Sequence, residues 1–248
     1  MATRYQIRRS IAGFLIFAAV AVWVLVSPDS YQTEVVPVDV DASTEYVSPL
    51  GESTDPDFPL ATAVLDRLEI KGRAPKTGYT RDQFYGSWPT IDGCSLRQRI
   101  IRREFGDTAH LDTDKCTVLS GEFDEPYTGS HLIFHEKSQI SKGIQIDHVV
   151  ALSDAWQKGA QNITKDERYS LATDPLNLLA VDAATNQGKS DGDAATWLPS
   201  NKAFRCQYIA RQISVKYKYH LWVSSAEHDI MAQVLSKCPA ERAIGVSL

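Results

Sequence analysis

The stretch Ile146-Asp147-His148-Val149-Val150 is the most informative part of this sequence. Two asparagines follow it, Asn177 and Asn186, which are nine positions apart. A carboxylate and an amide oxygen are ligands that a hard divalent cation accepts. An imidazole can take a proton from water near neutral pH. These four polar residues, in this order, indicate a hydrolytic centre with one metal ion.

The Asp-His pair lies in a segment that we expect to be a strand over residues 144–152. Adjacent residues of a strand point to opposite faces, so Asp147 and His148 can address metal and water only if the strand ends or bends there. We expect helical insertions over 153–160 and 165–172, then a strand over 177–181. Asn186 is expected to open a polar turn that leads into a helix beginning near residues 193–197.

The remaining elements are expected to be short strands beside helices. Helices are expected over 61–70, 97–105 and 201–219, and strands over 117–119 and 131–135. Ser224-x-x-Glu227 forms a capping box that opens a last helix. Because strands and helices do not alternate regularly, the sequence predicts an α+β fold rather than a doubly wound sheet.

The N-terminus has the pattern of an export signal or membrane anchor, which we assign to residues 1–26. Residues 11–26 carry no charge and follow Arg8-Arg9-Ser10. This run is short for a spanning helix of about 20 residues and lacks the polar start that follows a cleaved signal. We therefore favour an uncleaved anchor with the rest of the chain exported. If the segment is cleaved, the protein is secreted.

Residues 27–59 are expected to form an acidic, disordered linker, since they carry eight acids, no Lys or Arg, and five prolines. Residues 60–248 are expected to form the folded domain. That region has 23 basic and 23 acidic residues, whereas the whole chain has a net charge of -5. The net charge argues against a strongly basic nucleic-acid coat protein.

Four cysteines, Cys94, Cys116, Cys206 and Cys238, show no C-x-x-C spacing, which disfavours a zinc site. An even number of cysteines in an exported protein predicts disulfides. Cys206 lies near the start of one predicted helix and Cys238 just after the next, so an antiparallel helix pair would join them. This leaves Cys94 with Cys116. The alternative is four buried free thiols.

Several segments resemble the HNH (ββα-metal, or His-Me finger) endonucleases, in particular the exported proteins of the DUF1524 type. The similar segments are 146–152, Asp174-Pro175-x-Asn177-Leu178-Leu179-Ala180-Val181, Asn186-Gln187-x-Lys189-x-Asp191, Trp197-Leu198-Pro199, Gly78-Tyr79-x-Arg81-x-x-Phe84 and Cys94-x-x-Arg97. The resemblance covers roughly residues 70–240. It implies a ββα-metal core with surrounding helices and a small β-sheet, stabilised by disulfides.

The resemblance also implies roles for individual residues. His148 would activate water, and Asn177 would orient the loop that carries it through backbone hydrogen bonds. Asp147 and Asn186 would hold one divalent cation, Mg²⁺ or Mn²⁺. Lys189 and Arg97, which lie in similar segments, are expected to contact substrate phosphate. The products would carry 5′-phosphate and 3′-hydroxyl ends.

Together these patterns predict an endonuclease that cuts DNA outside the cytoplasm with the help of a divalent metal. Low sequence specificity is expected, because no recognition helix, zinc finger or basic arm is visible in the sequence. One alternative is a non-catalytic cell-surface binding module that keeps the nuclease fold. Another is a phosphodiesterase acting on RNA or a different polymer. The N-terminal segment implies contact with a membrane, and the sequence indicates no protein partner.

Overall fold

The computed structural model describes residues 57–246. The predicted N-terminal anchor (1–26) and most of the predicted linker (27–59) lie outside the described residues. Within residues 57–246, no helix combines the length and the apolar character that crossing a membrane requires.

The described chain contains seven short strands and eight helices. The strands are β1 (Thr90–Ile91), β2 (Cys94–Ser95), β3 (His110–Leu111), β4 (Val118–Asp124), β5 (His131–Phe134), β6 (Ile144–His148) and β7 (Leu178–Asp182). The helices are α1 (Ala61–Leu65), α2 (Leu96–Phe105), α3 (Lys137–Gly143), α4 (Leu152–Ala155), α5 (Lys165–Thr173), α6 (Ala183–Lys189), α7 (Arg205–Lys218) and α8 (Ser225–Leu235). Short 3₁₀ turns at Arg81–Gln83, Gly106–Thr108 and Pro175–Asn177, and a π-helical turn at Trp156–Ala160, connect them.

The strands form three small antiparallel sheets with the orders β1-β2, β3-β4-β5 and β6-β7. No parallel pair with a crossover helix occurs among these named strands. The chain is therefore a mixed α+β protein, as the irregular order of strands and helices in the sequence predicts.

The β6-β7 pair is buried on both of its faces, which explains the unbroken apolar run of β7. Leu179 and Val181 pack into a core that includes α7 and α8. Leu178 and Ala180 point the other way, into a core formed with α2 and the β4-β5 sheet. Because successive side chains of a strand alternate between faces, a strand between two cores must be apolar at every position.

Helix α6 follows β7 directly and contacts both β6 and β7, so the order in this unit is strand, strand, helix. The strand pair is in register from Ile144 opposite Asp182 to His148 opposite Leu178. The unit thus brings the end of β6, which carries the Asp-His pair, next to the helix that follows β7.

The helix expected over 61–70 ends at Leu65, and three further expectations about local structure were wrong. The strand that starts at Ile144 ends at His148 and not at residue 152, because the chain turns away and α4 begins at Leu152. Asn186 lies inside α6 rather than opening a turn. The cause is Asp182, whose carboxylate accepts a hydrogen bond from the Thr185 amide at 2.7 Å and so caps a helix two turns long.

The third error concerns residues 193–197, where a helix was expected and a hydrogen-bonded turn occurs. The side chain of Asp193 accepts a hydrogen bond from the Ala195 amide at 3.1 Å, and the Asp193 backbone carbonyl accepts one from Trp197. The chain then continues without a helix until Arg205. Local side-chain to backbone bonds of this kind compete with helix formation.

Two disulfides join Cys94 to Cys116 and Cys206 to Cys238, with Cα–Cα distances of 5.3 Å and 6.4 Å. This is the connectivity expected from the antiparallel arrangement of the last two helices. The predicted capping box at the start of α8 is also present, with the Ser224 and Glu227 side chains each accepting a hydrogen bond from the backbone amide of the other residue.

Candidate functional site

A cavity of about 340 Å³ opens where β6 ends. Its walls come from the loop before α2, the end of β6, the start of α4, and α6 with the residues after it. It is lined by Lys76, Tyr79, Arg81, Ile146, Asp147, His148, Ala151, Leu152, Ser153, Asn186, Ser190 and Asp191. The cavity therefore brings together three of the four residues that the sequence singled out: Asp147, His148 and Asn186.

Asp147 is almost fully buried and is held by two side chains. The Lys189 ammonium donates to its Oδ1 at 2.9 Å, and the Tyr127 hydroxyl donates to its Oδ2. Burial raises the pKa of the Asp147 carboxyl, while the charge of Lys189 and the hydrogen bond from Tyr127 oppose that rise. The carboxylate is thus fixed in one orientation at the edge of the cavity.

The His148 ring is held on both its edge and its face. Nε2 lies 2.9 Å from the backbone oxygen of Ala172. Since a carbonyl oxygen only accepts hydrogen bonds, Nε2 carries the proton and Nδ1 carries the lone pair. Trp88 stacks on the imidazole with an interplanar angle of 6°, and the Tyr85 ring lies 5.9 Å away, centroid to centroid.

The same surroundings keep the imidazole uncharged. Burial is the main cause that lowers the pKa of His148 to about 3; the hydrogen bond to Ala172 opposes this shift, and the positive charges of Arg81 and Lys189 add to it. A neutral imidazole with a free lone pair is the form of histidine that accepts a proton.

Asn177 does not line the cavity but lies beneath it, fully buried. Its Oδ1 accepts from the Val150 amide at 2.8 Å, and its Nδ2 donates to the oxygens of Leu171 at 3.2 Å and Val150 at 3.4 Å. Its own backbone oxygen accepts from the Val149 amide. Asn177 therefore clamps the two residues that follow His148, as a loop-orienting role requires.

The oxygen donors at the cavity fit a hard divalent cation. Asn186 uses its amide nitrogen to donate to Gln145 Oε1 at 2.9 Å, so its carbonyl oxygen is the atom that remains for a ligand. An ionised carboxylate has about four lone-pair positions, so the contacts of Asp147 with Lys189 and Tyr127 leave it further acceptor capacity. A carboxylate and an amide oxygen are the kinds of ligand that a hard divalent cation accepts.

A second group of potential ligands among the described residues does not fit a metal. It consists of Cys206, Cys238 and Glu241. The two cysteines are joined in a disulfide, so they offer no thiolate, which is the form of cysteine that binds metals.

Neither of the residues expected to contact substrate phosphate points its charge at the cavity. The Lys189 side chain is fully buried, and its ammonium donates to Asp147 and, at 2.9 Å, to the His148 oxygen. Arg97 donates from Nη2 to the Ile144 oxygen at 2.9 Å, at the start of β6. Both side chains therefore hold the strand that carries Asp147 and His148. The strand supplies their acceptors, which are the Asp147 carboxylate and the backbone oxygens of His148 and Ile144.

The structure adds residues to the site that the sequence did not single out. Tyr127 lies between the strands expected over 117–119 and 131–135, yet its hydroxyl holds Asp147. Lys76 and Arg81 line the cavity and come from the loop before α2. A signal for Arg81 existed in the sequence, since it belongs to the Gly78-Tyr79-x-Arg81 segment that resembles the DUF1524 proteins.

Comparison with known proteins places the chain in one family. Residues 96–234, more than half of the chain, match the family described as GmrSD restriction endonucleases, C-terminal domain. A relative from Arthroderma benhamiae, described as an uncharacterized secreted protein, is 34% identical over 205 residues. That match covers 80% of this chain and 96% of the relative. No solved structure matches the chain. The chain therefore belongs to the family of GmrSD restriction endonuclease C-terminal domains.

Proposed function

We propose that this protein is an exported, metal-dependent endonuclease that hydrolyses phosphodiester bonds of DNA. The observation that carries the proposal is the His148 imidazole, which lines the cavity beside Asp147 and Asn186 in a single tautomer. Membership of a family described as restriction endonucleases agrees with this chemistry. Export is supported by the two disulfides and by the relative that is described as secreted.

His148 is the general base in this proposal. The Ala172 oxygen holds the Nε2 proton, so Nδ1 is the atom that takes a proton from the attacking water. The stacked ring of Trp88 keeps the imidazole from rotating. A base held in one orientation aligns its lone pair with the attacking water, and this alignment is absent from hydrolysis in free solution.

Asp147 and Asn186 would hold the cation. We propose that β6, β7 and α6, in this order, form a ββα-metal core. A bound divalent cation would neutralise charge on the phosphate and stabilise the leaving 3′ oxygen. The protein's own part is to hold the two oxygen donors in place, through Lys189 and Tyr127 on Asp147 and through Gln145 on Asn186.

Cleavage of plasmid DNA tests the proposal. The purified protein is incubated with supercoiled plasmid and Mg²⁺ or Mn²⁺, with EDTA in a parallel sample and RNA as a second substrate. We expect nicked and linear products that carry 5′-phosphates and that EDTA abolishes. Intact plasmid with both metals would refute the DNA nuclease, and cleavage of RNA alone would reassign the substrate.

A further inference from the structure

We propose that Arg81 binds a phosphate of the substrate beside His148. This inference rests on the proposed nuclease function, and it names a contact that the sequence had assigned to Lys189 and Arg97. It is carried by three features of Arg81: an unused positive charge, a fixed orientation, and proximity to the imidazole.

The charge of Arg81 is available, whereas those of the neighbouring cations are not. Lys76 forms an ion pair with Asp191 at 2.9 Å, and Lys189 forms one with Asp147 at the same distance. Between residues 57 and 246, Arg81 has no carboxylate within ion-pair distance, although it lines the cavity. An anion that enters the cavity thus meets one cation whose charge is not already balanced by a carboxylate.

Arg81 is also held in place by an aromatic side chain. Its Nε donates to the Tyr85 hydroxyl at 3.1 Å, and its Nη2 contacts the same oxygen. The guanidinium carbon lies 5.0 Å from the centre of the Tyr85 ring. A guanidinium has five N–H donors, so these two contacts leave donors that can face a phosphate, whose oxygens match the planar fork.

Tyr85 connects Arg81 to the catalytic imidazole. Its ring contacts the Arg81 guanidinium, and the centre of the ring lies 5.9 Å from that of the His148 ring. The 3₁₀ turn of Arg81–Gln83 is anchored by Phe84, which is buried against Trp156. The segment that carries Arg81 precedes residues 96–234, the part that matches the family. The proposed phosphate contact therefore comes from a segment outside the region that matches the family.

The alternative is a solvated arginine whose contacts with Tyr85 only pack the loop. Binding measurements separate the two without relying on turnover. A fluorescent DNA duplex is titrated with the His148→Ala protein in EDTA at several salt concentrations, and binding is followed by anisotropy. The same is done after adding Arg81→Ala, Arg81→Lys or Arg99→Ala. Arg99 is the matched control, because it is an exposed arginine that pairs with Asp92.

If Arg81 contacts phosphate, Arg81→Ala weakens binding about tenfold and reduces the slope of log K against log[salt] by about one. Arg81→Lys keeps the slope but binds more weakly than the parent, because it loses the planar fork. Arg99→Ala changes neither quantity. An unchanged slope and affinity in Arg81→Ala, or a parent that shows no salt-dependent binding, would overturn the inference. Melting temperatures confirm that the variants fold.

Cleavage assays on single variants that keep His148 separate this inference from the nuclease proposal. We expect Arg81→Ala to lower kcat/KM on DNA by about 10²-fold, while Arg99→Ala cleaves like the wild type. Wild-type cleavage with an equally active Arg81→Ala protein would overturn the inference and leave the nuclease function standing. If the wild type does not cleave, the nuclease function fails, and the anisotropy titrations still decide whether Arg81 contacts phosphate.

Discussion

At the scale of single residues, spacing in the sequence identifies the polar centre but not the groups that support it. Asp147, His148 and Asn186 line one cavity, as their order along the chain suggested. Tyr127 and Arg81 reach the same place from distant loops, and only tertiary packing brings them there. Lys189 was expected to contact phosphate because a lysine in a polar segment is usually exposed, whereas this one is paired with a buried carboxylate.

Asn177 offers a residue-scale test of the loop clamp. Replacing Asn177 by Ala leaves the Val150 amide and the Leu171 oxygen without this buried partner. Unpaired buried polar groups cost about 1–3 kcal/mol each, so we expect a loss of about 2–5 kcal/mol in the free energy of unfolding. Urea denaturation measures this loss, and the activity should fall together with it because His148 loses its support.

A matched control is Asn162→Ala, which removes an exposed asparagine and should change stability by less than about 0.5 kcal/mol. Equal stability of the Asn177 and Asn162 variants would contradict the clamp. A stable Asn177→Ala protein with much lower activity would instead give Asn177 a direct part in the chemistry.

At the scale of secondary structure, hydrophobic periodicity predicts the long helices, whereas capping interactions determine where the short helices form. Helices α2, α5, α7 and α8 lie within a few residues of their predicted bounds. Helix α6 was missed because its sequence, Ala-Ala-Thr-Asn-Gln-Gly-Lys, contains a glycine and an asparagine that usually indicate a turn. The cap by Asp182 and packing against β6 and β7 outweigh that weak local preference.

Replacement of Gly188 tests whether this glycine lowers the stability of α6. A Cβ at Gly188 would meet nothing within 4 Å, and the residue lies in the last turn of the helix. Gly188→Ala should therefore raise the free energy of unfolding by about 0.5–1 kcal/mol and leave cleavage unchanged. Thermal and urea denaturation provide the measurement.

Gly121→Ala is the contrasting variant, because its Cβ would lie 2.8 Å from the Thr108 backbone oxygen and 2.7 Å from the Phe105 ring. That protein should be strongly destabilised. A destabilised Gly188→Ala protein would mean that α6 needs the glycine, and a stable but inactive one would place substrate against this helix.

At the scale of the whole molecule, a buried group of charges ties the C-terminal helices to the rest of the chain. Lys158 is fully buried and forms ion pairs with Asp154 at 2.8 Å, with Asp193 at 2.7 Å and with Glu227 at 2.6 Å. Lys216 forms ion pairs with Asp154 and Glu227, and Arg73 with Asp154 and Asp193. These charges are scattered over the sequence and resemble ordinary surface residues, so composition alone could not predict the cluster.

Removing Lys158 tests the importance of this cluster. Lys158→Met keeps roughly the length of the side chain but removes its positive charge. The three buried carboxylates are then left with Arg73 and Lys216 as partners. We expect a loss of about 3–5 kcal/mol in the free energy of unfolding. The control is Lys218→Met, which removes a half-exposed partner of Asp174 and should cost about 1 kcal/mol or less. Similar losses in the two variants would contradict the structural role of the cluster.

The central claim is that His148 is the general base of a metal-dependent nuclease. Its most direct test compares the rate of plasmid cleavage by the wild type and His148→Ala at saturating Mg²⁺ or Mn²⁺, with melting temperatures to confirm folding. We expect a folded His148→Ala protein to cleave plasmid about 10²–10⁴-fold more slowly than the wild type. Equal rates for the two proteins would contradict it.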